Sequence, residues 1–119
     1  MGYTNYWYQF DSFNDKEWGK IKLVASELVK DIGITGRDGS LMSAPVINNE
    51  EIVFNGVGDS SCEPFILSRN LDKNDRLFDE TKGKFNFCKT LKMYYDEHVW
   101  KMLCAAKNSA PGKINIESD

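Results

Sequence analysis

The stretch YTNYWYQFDSFNDKEWGKIKLVASELVKDIG, residues 3–33, contains a strand pattern followed by a helix pattern. Residues 3–10 are rich in β-formers and place aromatic side chains on both faces of the alternation, which predicts a strand in the interior of a sheet. The next segment repeats apolar side chains at steps of three and four residues, from Trp18 to Ile32, before Gly33. This order predicts an interior first strand followed by an amphipathic helix.

The start of this helix is marked by local signals. Asn14 can accept a hydrogen bond from the first turn, and Glu17 stands three residues later, as a capping box requires. Phe13 and Trp18 have the spacing of a hydrophobic staple, in which two apolar side chains fix the direction of entry into the helix. We therefore expect the helix to begin at Asn14 and to end at Gly33.

The rest of the chain predicts several strands and a second helix. Its segments are a loop over 34–49 with room for one short strand, strands at 51–54 and 62–68, a long surface loop at 70–83, a short strand at 85–89 and a helix from about 94 to 107. We expect an α+β fold, with a mostly antiparallel sheet of four to five strands and two amphipathic helices on one face. Residues 1–108 are expected to form a single domain, and residues 109–119 a loosely held tail.

Composition limits the classes of partner. The chain has 119 residues and a net charge of −3, and its isoelectric point is near 5.2. Its basic residues alternate with acids, whereas phosphate binding needs clustered Lys and Arg, so composition argues against a nucleic-acid partner. No run approaches the 18 apolar residues that a membrane-spanning helix needs. The expected partner is a small molecule or a protein of unidentified kind, and the charge pattern leaves the oligomeric state open.

The cysteines indicate a reducing environment and no metal centre. Cys62, Cys88 and Cys104 are an odd number with wide spacing, which is not typical of a disulfide framework. They form no close pair with each other or with His98, the only histidine, as zinc ligands usually do. We therefore predict no metal and no cofactor, and, since no signal peptide is readable, a cytoplasmic protein.

The segment FNFCKTLKMYYDEH, residues 85–98, carries the densest set of reactive side chains. Cys88 is a candidate nucleophile if Lys89 or His98 lowers its pKa, because the thiolate is the reactive form of cysteine. The alternative is structural: Cys88 as a small core residue, and His98 as a residue at the edge of an apolar face with a hydrogen-bond partner. The sequence favours the structural interpretation and leaves the catalytic one open.

A binding pocket between the first strand and this segment is the main functional hypothesis. Aromatic side chains with a few convergent charges suit a small ligand or a protein loop. The candidate binding residues are Tyr3, Trp7, Asn55, Glu63, Lys89, Thr90, Tyr95 and Asp96.

Three motifs carry a resemblance that covers most of the chain. GYTNYW at 2–7, IVFNG with EPF at 52–65, and FNFCKTLKMYYDEHVWKMLCAAK at 85–107 resemble a family of small uncharacterised proteins of phage-like and microbial origin. That family begins with GYTHYW, carries FNG and ETF, and ends with FCKT, a Pro-Tyr-Asp and a helix. The resemblance implies that its signature positions are Tyr3, Thr4, Tyr6, Trp7, Asn55, Gly56, Glu63, Phe65, Cys88, Lys89, Thr90, Tyr95 and Asp96.

Two departures from this family weaken a catalytic interpretation. Asn5 stands where the family has histidine, and Tyr94 stands where it has proline. Asparagine imitates one hydrogen bond of imidazole, but it transfers no proton near neutral pH. The leading hypothesis is therefore a non-catalytic binding domain. The alternatives are a small cysteine-dependent enzyme that uses Cys88, and a self-associating phage accessory or structural protein.

Overall fold

The structure is a computed structural model that describes residues 3–119, so Met1 and the Gly2 of GYTNYW lie outside it. Within residues 3–119, seven strands and two α-helices follow one another, with five of the strands between the two helices. The elements are β1 (Thr4–Gln9), α1 (Asp15–Leu28), β2 (Val46–Ile47), β3 (Glu51–Phe54), β4 (Phe65–Ser68), β5 (Phe78–Asp79), β6 (Gly83–Lys89), α2 (Asp96–Ser109) and β7 (Ile114–Ser118).

The strands form two antiparallel sheets. One has four strands in the order β5-β6-β1-β7, and the other has three in the order β2-β3-β4. The predicted α+β class is confirmed, and β1 lies in the interior of its sheet, as its aromatic pattern indicates. The sequence suggested one sheet of four to five strands, whereas in the described chain β2, β3 and β4 pair only with one another.

The start of α1 follows the prediction. Asn14 accepts a hydrogen bond from the Glu17 backbone at 2.8 Å, and the Glu17 carboxylate accepts one from the Asn14 backbone at 2.8 Å. The rings of Phe13 and Trp18 stack with centroids 5.8 Å apart. The capping box and the staple are therefore both confirmed.

The end of α1 differs from the prediction. The helix ends at Leu28, and Ile32, which the apolar repeat placed on the buried stripe, is 93% exposed. The Asp31 carboxylate accepts a hydrogen bond from the Gly33 backbone at 2.8 Å, which holds the chain in a turn instead of a further helical turn. The prediction that the helix continues to Gly33 is therefore wrong.

The core lies between the four-stranded sheet, the helices and the smaller sheet. Asn5, Trp7 and Gln9 are buried on one face of β1, which we call the inner face. Trp7 packs against Phe65 of β4 with ring centroids 5.4 Å apart, which joins the two sheets. Helix α2 packs against β1 and β7, and α1 packs against α2. Burial of each large apolar side chain here contributes roughly 1.5–3 kcal/mol.

The C-terminal segment forms part of the sheet. Residues 114–118 are strand β7, which pairs with β1 in antiparallel register from Asn5↔Ser118 to Gln9↔Ile114, and Ile114 is fully buried. Lys107 of α2 also donates hydrogen bonds to the backbone oxygens of Pro111 and Ile114. The prediction of a loosely held tail is wrong for this strand, because the backbone groups and the apolar side chain of Ile114 both find partners.

Candidate functional site

The amino end of α2 meets the ends of β1 and β6 at a sharp corner. The Tyr3 carbonyl oxygen accepts hydrogen bonds from the backbone of Thr90 at 3.0 Å and of Leu91 at 3.2 Å. Leu91 and Lys92 both have positive φ angles, 55° and 58°. This conformation costs roughly 1–2 kcal/mol per residue for a side chain with a Cβ, and such strain clusters at functional sites. We call the surroundings of residues 88–96 the corner.

Asp96 stands in the first turn of α2 and is held by the corner through one oxygen only. Its Oδ1 accepts hydrogen bonds from Asn5 Nδ2 at 2.8 Å and from the Thr90 hydroxyl at 2.5 Å. Asn5 and Thr90 are buried, whereas Asp96 is half-buried. Among residues 3–119, no group donates to Asp96 Oδ2. The carboxylate is thus fixed in direction, and half of its hydrogen-bonding capacity remains available.

Two grooves meet at Asp96, and Tyr3 and Glu97 line both of them. The first groove, about 350 Å³, has further walls from Trp100, Lys101 and Ser118. The second groove, about 390 Å³, has further walls from Lys92, Met93 and Tyr94. The Lys92 ammonium lies 4.7 Å from the centroid of the Tyr3 ring, which is a cation–π contact. The site is therefore an aromatic ring between two small depressions, with carboxylates at their junction.

Glu63 and Tyr95 stabilise the other side of the corner. The Glu63 carboxylate accepts a hydrogen bond from the Lys89 backbone at 2.8 Å, and the Glu63 backbone amide donates to the Lys89 carbonyl oxygen at 3.1 Å. The Tyr95 hydroxyl donates to the Glu63 carbonyl oxygen at 2.6 Å. Tyr95 is fully buried, and burial raises the pKa of its phenol. Both residues lie at the predicted corner, but their polar groups are used in its internal hydrogen bonds.

Cys88 does not have the environment of a nucleophile. It is fully buried on the inner face of β6, and its Sγ lies 3.4 Å from the Glu63 carbonyl oxygen. Burial, and then the charge of Glu63, raise the pKa of the thiol to about 12. Lys89 is the next residue in the strand, so its exposed side chain points to the opposite face and does not approach the thiol. These observations oppose the catalytic hypothesis for Cys88 and Lys89.

His98 is bonded to a carboxylate rather than to a cysteine. Its Nε2 lies 3.1 Å from Asp31 Oδ2, which also accepts a hydrogen bond from the Tyr94 hydroxyl at 2.5 Å. These contacts join the first turns of α2 to the turn after α1. His98 Nδ1 is buried and has no hydrogen-bond partner within residues 3–119. His98 is thus the predicted residue at the edge of an apolar face, and the structure does not pair it with Cys88.

Only Tyr3 and Asp96 of the eight predicted binding residues line the grooves, and Trp7 and Asn55 are among the six that do not. Trp7 is a core residue, only 2% exposed. Asn55 is buried and organises a loop: its Nδ2 donates to the carbonyl oxygens of Arg37 and Cys62, and its Oδ1 accepts from the amides of Gly56 and Cys62. All four side-chain hydrogen bonds of Asn55 are internal, so neither residue faces a ligand.

Several residues of the site were not among the predicted binding residues, and Asn5, Glu97 and Trp100 are three of them. Asn5 was noted only as a departure from the family pattern, but its position two residues before Trp7 puts both side chains on one face of the strand. Trp100 and Glu97 follow Asp96 in the helix, and the spacing of four residues between Asp96 and Trp100 places them on one side of α2. That spacing was the sequence signal that could have identified Trp100 as a residue of the site.

Neither a metal centre nor a membrane span is visible in the described chain. Residues 3–119 contain no group of three His, Cys, Asp or Glu side chains arranged to hold a metal ion. No helix within the same range has the length and apolar character needed to cross a membrane. Comparison of the chain with protein-family models, curated proteins and solved structures finds no match. The resemblance to the proteins that begin with GYTHYW therefore stays a prediction.

Proposed function

We propose that this protein is a non-catalytic binding domain whose site is the pair of grooves around Tyr3 and Asp96. The group that it recognises is a positively charged nitrogen with N–H donors, an ammonium or a guanidinium. Such a group is carried by a small molecule or by a Lys or Arg side chain of a protein partner. The main support for this proposal is the Asp96 carboxylate. Two buried donors bond to one of its oxygens, while the other oxygen has no donor within residues 3–119 and Asp96 lines both grooves.

The chemistry of the walls supports a cationic ligand. A hydrogen bond between a charged donor and a carboxylate is roughly twice as strong as one between neutral groups. Tyr3 and Trp100 add ring faces that attract a cation, and Lys92 already occupies one such position over Tyr3. The amino end of a helix usually favours an anion, but Asp96 itself already supplies the negative charge there.

Titration with matched probes followed by nuclear magnetic resonance tests this proposal. Methylguanidinium and n-butylammonium are the cationic probes, N-methylurea and n-butanol are their neutral counterparts, and acetate is the anionic probe. We expect saturable shifts of the Tyr3, Asp96 and Trp100 signals with the cations only. Dissociation constants should be about millimolar, because so few atoms form contacts. Equal shifts with the neutral probes, or shifts with acetate alone, would contradict the proposal.

Lys92 provides a variant with an effect of opposite sign. Its ammonium competes for the Tyr3 ring and repels a second cation in the second groove. Lys92→Met keeps much of the length of the side chain and removes the charge, so the cationic probes should bind more tightly. Unchanged or weaker binding of the cationic probes by Lys92→Met would contradict the proposal, and loss of acetate binding in the same variant would indicate an anion site.

A further inference from the structure

The four-stranded sheet has an aromatic surface on the side away from the helices. Tyr6 and Tyr8 of β1 lie directly opposite Phe87 and Phe85 of β6. The ring of Phe85 lies 5.9 Å from Tyr6, 5.3 Å from Tyr8 and 5.8 Å from Phe87, measured between centroids. These four rings form one continuous row, which we call the outer face.

The outer face is unusually apolar for a solvated sheet surface. Phe85 is 42% exposed, Phe87 is 55% exposed, and Leu77 beside them is 64% exposed. An antiparallel sheet with one free face normally alternates apolar residues inward with polar residues outward. A continuous exposed apolar patch of this kind marks an interaction surface.

At the level of Thr4 and Tyr6, charges flank the aromatic row with opposite signs. On the β6 side, Lys89 lies opposite Thr4, and its side chain is exposed. On the β7 side, Glu117 lies opposite Tyr6, and Asp119 accepts hydrogen bonds from the Tyr6 hydroxyl at 2.6 Å and from the Thr4 amide at 3.0 Å. A nucleic acid that stacked on these rings would meet this acidic flank, so the charges oppose that occupant.

We propose that a second copy of this chain covers the outer face. The two copies are related by a two-fold axis that is parallel to the strands and lies between their outer faces. This axis places the β6 side of each copy against the β7 side of the other. Lys89 of each copy then faces the acidic flank of its partner, while the two aromatic rows meet at the centre. An axis across the strands would place β6 over β6 and β7 over β7 with their ends reversed, so Lys89 would not meet the acidic flank, and the charges therefore favour the first arrangement.

The size of the face predicts a weak association. Strand β1 is about 20 Å long and the four strands are about 19 Å across, which gives roughly 400 Å² of projected area. Stable interfaces bury about 800 Å² on each partner. We therefore expect a reversible dimer with a dissociation constant on the order of 10⁻⁵ to 10⁻⁴ M.

Sedimentation equilibrium from low micromolar to near-millimolar concentration tests the proposal. The wild-type chain should change reversibly from monomer to dimer. Phe87→Lys should weaken the dimer by about tenfold or more, because it buries a charge among rings. Ile32→Lys is the matched control, since Ile32 is 93% exposed and lies outside the sheet. Circular dichroism should show both variants folded. A strict monomer at all concentrations, or equal effects of the two variants, would overturn the proposal.

A charge exchange tests the orientation of the two copies. Lys89→Glu alone and Glu117→Lys alone should each weaken self-association, because the flanks of two identical copies then repel. An equal mixture of the two variants should associate more tightly than either variant by itself, with heterodimers as the main species. A mixture no tighter than its components would overturn the proposed axis. The grooves around Tyr3 and Asp96 should bind the cationic probes in every one of these variants, because neither side chain lines them.

Discussion

The two sides of the corner differ in how completely their polar groups are satisfied. On the closed side, the Asn55 side chain makes four internal hydrogen bonds, and Glu63 and Tyr95 bond to each other and to Lys89 of β6. On the open side, Asp96 is bonded through one oxygen and lines two grooves. The closed side has the character of a structural support, and the open side has unused capacity for a ligand.

The largest expected effect concerns Cys88, which belongs to the closed side. With a pKa near 12 instead of the usual value of about 8.5, its thiolate fraction at pH 8 is lower by about a thousandfold. Iodoacetamide should therefore modify the half-buried Cys62 and Cys104 well before Cys88, as read by peptide mass spectrometry. The contrast should disappear in denaturant. Fast modification of Cys88 in the folded protein, with an inflection below pH 8, would show that this side is open.

The next-largest expected effect is a loss of folding stability in a variant of Asn55. Asn55→Ala leaves the carbonyl oxygens of Arg37 and Cys62 and the amides of Gly56 and Cys62 without their side-chain partner, so the free energy of unfolding should fall by about 3 kcal/mol. Asn48→Ala is the matched control, because Asn48 is exposed and its side chain accepts only from the amides of Glu50 and Glu51. Denaturation in urea measures both. Equal losses for the two variants would mean that Asn55 supports the corner no more than a surface turn does.

A smaller effect on stability is expected at Thr90, whose hydroxyl donates a hydrogen bond to the Asp96 carboxylate. Thr90→Val keeps the shape of the side chain and removes the hydroxyl that donates to Asp96, at a cost of about 1–2 kcal/mol. A double-mutant cycle with Asp96→Ala isolates the interaction between the two residues. We expect the two effects to be clearly non-additive. Additive effects would show that Thr90 does not hold the carboxylate.

Asp31 provides a second carboxylate for comparison with Asp96, and both of its oxygens are engaged. The hydrogen bond from Tyr94, then that from the Gly33 amide, and with them His98, hold the pKa of Asp31 below its usual value. A lowered pKa in the folded protein adds stability above the unfolded value of about 3.9, and this stability is lost as pH falls through the folded pKa.

Tyr94→Phe removes the hydroxyl that donates a hydrogen bond to Asp31 and leaves the aromatic ring in place. The difference in unfolding free energy between wild type and Tyr94→Phe should therefore be largest near neutral pH and should shrink below about pH 4. Urea denaturation across this pH range measures it. A difference that stays constant with pH would contradict the proposed role of the Tyr94 hydrogen bond.

The sequence was sufficient for the local elements and insufficient for their assembly. The start of α1 at Asn14 and the interior position of β1 follow from spacing and from side-chain type within a few residues. The end of α1 and the pairing of β7 with β1 depend on partners distant in sequence, such as Tyr94 for Asp31 and Thr4 for Asp119. A periodic pattern carries no information about such contacts.

The same distinction applies to the site. Tyr3, Thr90 and Asp96 were predicted and meet at the corner, whereas Trp7 and Asn55 were predicted and are internal. Residue type alone does not separate these outcomes, because an asparagine with four internal partners and an aspartate with one free oxygen look alike in a sequence. Only the count of satisfied donors and acceptors distinguishes them.

Calorimetric titration of methylguanidinium into wild type, Asp96→Asn and Asp59→Asn tests most directly whether Asp96 binds a cation. The two variants lose the same charge, but Asp59 is exposed on the 3₁₀ turn at Gly58–Ser60 and lies outside both grooves. We expect Asp96→Asn to weaken binding by about tenfold or more, since a charged hydrogen bond contributes about 1.5–3 kcal/mol, and Asp59→Asn to bind like wild type. Equal binding by all three proteins would contradict the assignment of the open side as the binding site.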